Sequence, residues 1–420
     1  MPHQAPSDIS CRAVRLPNGV RVATEGMPLV KTASLGVWIE AGSRHEAPGQ
    51  EGMAHLWEHM AFKGTATRDA LAIAKELDIL GGLANAFTSR EVTCFHIRVM
   101  DAHMERAFAV LSDIVLNPAL DPEELAREKG VIVQEISMVE ETPEDKVHED
   151  FWAAAWANPA IAHPITGTPD SVMAATPKAL AAWRKARYRP DAIAIVAAGS
   201  VDHDALVAMT EATFGRLPTI SAPAPGGVGT YTPPRLAVRR ESEQNHVILS
   251  YPSVGNTSPE RFGHTILATL LGGNMSSRLF QEVRERRGLA YSIYASINAL
   301  AETGIFEIQA AVEPERTKEL VDVVRAELAA VAEGAVTREE LEHTREHLKG
   351  LLYLGAESTE NRMMRLARNT LLFGRHIPLT ETAAALDTVT LADLAGIART
   401  AFTDANAGLC ILGPAAAIPD

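Results

Sequence analysis

Cysteine is scarce in this 420-residue chain: Cys11, Cys94 and Cys410 are the only three, and no two share a paired spacing. That points away from a disulfide framework or a cysteine-built zinc site, and toward a reducing compartment. Basic charge is also in deficit. With 39 Lys and Arg against 53 Asp and Glu, the formal charge of -14 disfavours nucleic acid or an anionic membrane as partner. No apolar run approaches the ~20 residues needed to span a bilayer. The start, "MPHQAPSDISCRAVRLPNGV", lacks the basic residues and apolar stretch of a secretory signal. A cytoplasmic protein with no membrane and no nucleic-acid partner is expected. No Gly-x-Ser-x-Gly elbow occurs and the cysteines lack a histidine partner in sequence, so covalent nucleophilic catalysis has little support.

What is present suits a large folded core: 46% of residues are hydrophobic and 22% charged. The length fits two domains. The stretch "LPTISAPAPGGVGTYTPPR", 217–235, sustains neither a helix nor a central strand and reads as a linker between an N-terminal domain, 1–216, and a C-terminal one, 236–420. Both halves open on β-rich segments ("ASLGVWIEAGS", "NHVILSYPSV") and close on another ("PDAIAIVAAGSVD", "ANAGLCILGP") preceded by a helix. The expected fold class is therefore α+β: two homologous domains, each a largely antiparallel sheet with helices covering one face. Among the elements, "DPEELAREKGVIVQEISMVEE" predicts a helix capped by Asp121, and "TREELEHTREHLKGLLYLGA" one capped by Thr337. The alternation in "NAFTSREVTCFHIRVM", 85–100, predicts one strand.

The segment "AHLWEHMAF", 54–62, sets three ionisable groups among apolar ones. On an α-helix, His55 and His59 lie one turn apart on one face with Glu58 beside them. Burying such groups unpaired costs several kcal/mol, and a divalent cation would compensate. Two imidazoles at i and i+4 reach one zinc ion, and H-x-x-E-H is the inverse of the commoner zinc-protease order. The plain alternative is a polar stripe facing solvent. On the capped helix from Asp121, Glu128 and Glu135 are seven residues apart and share a face. Glu135 in the apolar "VIVQEISMV" also calls for a cation, unless it is simply an exposed carboxylate.

At these residues the chain resembles the pitrilysin-type inverzincins, in particular the mitochondrial processing peptidase-like branch and its bacterial, insulinase-like relatives. The resemblance runs through "EGMAHLWEHMAFKGT", "LGGLANAFTSREVT", "AREKGVIVQEI" and "LLGGNMSSRLFQEVRERRGLAYSI". It implies a zinc metalloendopeptidase binding one zinc per chain through His55, His59 and Glu135, with Glu58 as general base and Glu128 in support. It further implies that Asn85, Ala86 and Thr88 form an edge to which an extended peptide adds as a strand. Arg284 would hold substrate carbonyls and Tyr291 would donate to the oxyanion. Read without the resemblance, Asn85 begins an ordinary turn leading into a strand, and Arg284 is one of four basic residues on a solvated helix face. His96, His103, His148, His163 and His264 build no second site by spacing. Because one chain carries both residue sets, a homodimer closing around peptide substrates is the expectation, with a heterodimer of homologous chains as the alternative. The rival functions are a non-catalytic or partner-dependent assembly subunit of the same family, and a peptide-binding or metal-storage module.

Overall fold

The computed structural model describes residues 10–220, 227 and 229–419. Residues 221–226 and 228 of the expected linker, and the first nine of the N-terminal stretch, lie outside these. Two sheets organise the chain. The first contains β1 (Cys11–Arg15), β2 (Arg21–Gly26), β3 (Thr32–Ile39), β4 (Leu83–Thr88), β5 (Thr93–Met100) and β6 (Ile193–Gly199), in the order β1-β2-β6-β3-β5-β4. The second contains β7 (Arg235–Arg239), β8 (Asn245–Val254), β9 (Ile293–Ala299), β10 (Thr303–Val312) and β11 (Gly408–Gly413), in the order β7-β11-β8-β10-β9. Without β1 the two orders superimpose. In each sheet one pair is parallel, β2 with β6 and β7 with β11, and the other pairs are antiparallel. A largely antiparallel α+β architecture in two homologous halves is what the sequence pattern predicted.

The segment 85–100 is a hairpin rather than one strand. β4 and β5 pair from Leu83↔Arg98 to Thr88↔Thr93. The turn is made by Ser89, whose hydroxyl accepts from the backbone N–H of Glu91 and of Val92 and donates to the Val92 carbonyl. Such a serine turn competes with the extended ladder, and alternation of apolar residues does not reveal it.

The sequence pattern predicted helices on one face of each sheet, but both faces of the first sheet are covered. Leu35, Val37 and Ile39 of β3 point into a core that includes Trp57, Phe95 and Ile97. Trp38 points the other way, where it joins Val196 of β6 and Met363, Leu366 and Ala367 of the helix Thr359–Phe373. Ser34 and Thr359 share a hydroxyl hydrogen bond of 2.9 Å across this contact. In the opposite sense, Val147, Phe151 and Ala155 of the helix Pro143–Ala155 are buried with Ile248, Cys410 and Leu412 of the second sheet. The compact units therefore differ from the halves 1–216 and 236–420. The first comprises 1–136, 164–226 and 354–377, and the second 137–163, 227–353 and 378–420. The physical reason is that each exchanged helix has an apolar stripe matching an uncovered sheet face, and periodicity shows the stripe but not the face it meets. No helix among the described residues is long and apolar enough to cross a membrane.

If the helix Thr359–Phe373 is part of the first unit's core, Met363→Ala, at a fully buried side chain, should destabilise the protein by about 2–5 kcal/mol. Urea unfolding followed by far-ultraviolet circular dichroism reads this directly, and an unchanged midpoint would contradict the packing.

Candidate metal centre

The H-x-x-E-H segment forms the helix Met53–Ala61, and its N-terminus is built with unusual care. Gly52 precedes it at φ 87°, a left-handed conformation in which a Cβ would lie 2.5 Å from the Thr166 carbonyl oxygen, so only glycine fits. The carboxylate of Glu46, 6% exposed, accepts from the backbone N–H of Gly52 at 2.9 Å and of Ala54 at 2.7 Å. It satisfies two donors that the first turn leaves unpaired. Burial pushes the Glu46 carboxyl up to about 8, against the pull of these donors. On the apolar side Trp57 is fully buried and meets Tyr188 edge-on, with ring centroids 5.4 Å apart. The helix is thus clamped at one end and packed along one side, which directs His55, Glu58 and His59 away from the core.

The two imidazoles lie side by side with ring centroids 4.6 Å apart. Glu135, on the helix Pro122–Glu141, brings one carboxylate oxygen to 3.7 Å from His55 Nε2 and 3.8 Å from His59 Nε2. These separations exceed hydrogen-bond length. They approach the ~3.3 Å expected between two ligands about 2.0–2.1 Å from one zinc ion in tetrahedral geometry. Burial, and secondarily His59, push His55 down to about 4, which leaves it the neutral imidazole that a metal requires. The His55 Nδ1 atom is buried without a hydrogen-bond partner. His59 Nδ1, in contrast, lies 3.0 Å from Glu128 Oε2, which fixes the tautomer so that Nε2 faces His55 and Glu135. Glu128 is 5% exposed, and its other oxygen meets Lys63 Nζ at 2.7 Å. The donor set, two imidazole nitrogens and a carboxylate with an orienting carboxylate behind, fits zinc.

Glu58 sits beside this set. Its Oε2 accepts from the Thr88 hydroxyl of β4 at 2.6 Å. Burial raises its pKa, opposed by the Thr88 hydrogen bond and by His59, with Glu135 adding to the rise. Thr88 thus connects Glu58 to the edge of the first sheet, since among the described residues β4 pairs only with β5. Asn85 and Ala86 lie on the same edge strand, where Asn85 Oδ1 accepts from the Ala86 N–H at 2.9 Å. Arg284 and Tyr291 belong to the second unit. There the Arg284 guanidinium carbon stands 4.8 Å from the centroid of the Tyr291 ring, and Tyr291 is 82% exposed.

Two contributors escaped the sequence pattern. Lys63, four residues past His59, carried a usable signal in its helical spacing. Glu46 carried none, because an acid seven residues before a helix start reads as loop. A misleading signal also occurs: "HTREH", His343 to His347, repeats the H-x-x-E-H spacing on the helix Arg338–Gly355. Its first histidine is 76% exposed. Among the described residues, the close groupings of three or more metal-donor side chains are His55/His59/Glu135 and Cys11/Glu25/His376, and neither includes this pair.

The chain is 37% identical to an uncharacterized zinc protease of Mycobacterium tuberculosis over 99% of its own length and 96% of that protein. It belongs to peptidase family M16. An uncharacterized zinc protease of Bacillus subtilis is 36% identical, covering 96% of this chain and 98% of the relative. Residues 21–169 match the model of insulinase, peptidase family M16, and residues 174–348 that of the peptidase M16 inactive domain. The M16 fold is shared with a Helicobacter pylori protease at a TM-score of 0.90 and 22% identity, over 97% of this chain and all of that one.

Replacing Glu128 with Gln should weaken zinc binding about 10–100-fold, read by competition with a chromophoric chelator. Unaltered affinity would mean that Glu128 does not hold His59 in its binding orientation.

Proposed function

We propose that this M16 chain is a zinc metalloendopeptidase that hydrolyses extended peptides or presequence-like segments. The observation that carries this reading is the convergence of His55, His59 and Glu135 beside Glu58, which is itself hydrogen-bonded to an edge strand. When bound by those three ligands, zinc would supply Lewis acidity that polarises the scissile carbonyl and makes water more acidic. The remaining chemistry belongs to the chain. Glu58 takes a proton from the attacking water as its oxygen bonds to the carbonyl carbon, and delivers that proton to the amine as the C–N bond breaks. No covalent enzyme intermediate is involved. The free edge of β4 at Asn85, Ala86 and Thr88 pairs with the backbone of an extended peptide, selecting conformation more than sequence. Because Thr88 also donates to Glu58, docking at this edge places the peptide next to the base.

Arg284 holds substrate carbonyls and Tyr291 donates to the oxyanion. Their mutual contact and the exposed tyrosine ring suit that role. The chain carries both residue sets, which supports a homodimer enclosing the substrate, and a stable monomer by light scattering would count against it.

Incubating the protein with a mixed peptide library and reading the products by mass spectrometry tests the reading. Cleavage should occur in the untreated protein, vanish with chelator, and fall about 10²–10⁴-fold in Glu58→Gln while zinc content stays unchanged. No cleavage by a zinc-loaded protein would turn the assignment to a non-catalytic or partner-dependent subunit. Tyr291→Phe should lower kcat about 10²–10³-fold with little change in KM. An unaffected kcat in steady-state assays would remove Tyr291 from the chemistry.

A further inference from the structure

Cys11, Glu25 and His376 come from well-separated parts of the sequence and meet at the edge of the first sheet opposite β4. Cys11 opens β1, the edge strand, and Glu25 lies on the neighbouring β2. His376 follows the helix Thr359–Phe373, where Gly374 at φ 64° turns the chain back. Arg365 of that helix donates to the Ile377 carbonyl at 2.6 Å and fixes the returning segment. One donor atom from each of the three side chains lies within 4.8 Å of the others. The Cys11 Sγ to His376 Nε2 distance is 3.6 Å. A sulfur at ~2.3 Å and a nitrogen at ~2.0–2.1 Å from one tetrahedral zinc would be ~3.5 Å apart. Glu25 is 3% exposed, and Arg362 pairs with its Oε1. That pairing orients the carboxylate as an outer partner orients a ligand, and a carboxylate has a second oxygen that Arg362 Nη1 does not occupy.

We infer that Cys11, Glu25 and His376 form a second, structural metal site for zinc or a similar thiophilic divalent cation, with water as the fourth ligand. Thiolate, imidazole and carboxylate together suit zinc, whereas magnesium and calcium prefer oxygen alone. The site has a clear structural use. β1 is mostly exposed, with even Val14 38% exposed, so apolar burial contributes little to holding it. Coordination would tie this strand and β2 to the segment that follows the exchanged helix. Binding breaks the Cys11 S–H bond as the S–metal bond forms, and the proton passes to solvent. Without a cation, burial and then Glu25 push the thiol up to about 12, so it stays protonated and unreactive. Arg362 and Arg365 place positive charge close by, which opposes a cation and favours the thiolate that would bind it.

Cobalt separates the two sites because the catalytic set contains no sulfur, and Cys94 and Cys410 are both buried. Titrating metal-free full-length protein with Co(II) should give the near-ultraviolet absorption of a thiolate-to-cobalt charge transfer. His59→Ala should keep that band. Cys11→Ser and His376→Gln should each lose it and bind one cobalt fewer per chain, with peptide cleavage retained. The wild-type spectrum decides even if a variant fails to fold. A folded wild type that saturates at one cobalt, or that shows no thiolate band, would overturn the inference and leave Cys11 and His376 as a thiol–imidazole hydrogen bond. Neither outcome bears on the catalytic reading.

Discussion

Everything around the H-x-x-E-H helix serves one constraint: two imidazoles and a carboxylate must stay close together in a half-buried place where nothing but a cation satisfies all three. Left without one, Glu135 reaches neither histidine at hydrogen-bond distance, and the His55 and His59 Nε2 atoms are held beside each other with no donor between them. The fold accepts that cost. It holds the helix with Gly52 and Glu46 at its start and Trp57 along its buried side, so the polar groups cannot relax by rotating away. A site prepared in this way would bind a metal with little reorganisation.

The arrangement also separates duties among carboxylates. Glu135 stands half-exposed and faces the imidazoles, and Glu128 is buried, shared between His59 and Lys63. Glu58 is tied to β4 through Thr88. Three acids within one small volume would repel if all faced the same point. Here Glu58 and Glu128 each have a partner of their own while Glu135 faces the two imidazoles, so their environments differ and so do the tasks open to them.

Much of this was legible in the sequence. The i, i+4 histidines, the two glutamates sharing a helix face, the Asp121 and Thr337 caps and the duplicated β pattern are all local signals, and the structure places each as the pattern predicts. What failed was not carried by periodicity. The turn at Ser89 depends on one side chain competing for backbone donors, and the role of Glu46 depends on a loop returning to the helix start. "HTREH" shows the converse. There the same spacing, with its first histidine exposed, gathers no third donor among the described residues, so burial and a distant glutamate give the motif its meaning.

The exchange of helices has a consequence for how the chain is made. The face of the first sheet around Trp38, Ala194 and Val196 is apolar, and its cover is Met363, Leu366 and Ala367. During synthesis, which proceeds from the N-terminus at roughly 5–20 residues per second, all six strands of that sheet emerge long before their cover does. A nascent first half therefore carries an open hydrophobic surface for as long as the ribosome takes to translate about 160 further residues, the interval between β6 and the helix Thr359–Phe373. The unit that carries His55, His59 and Glu135 therefore cannot close its core until most of the second unit has also been translated, although all of its strands come first.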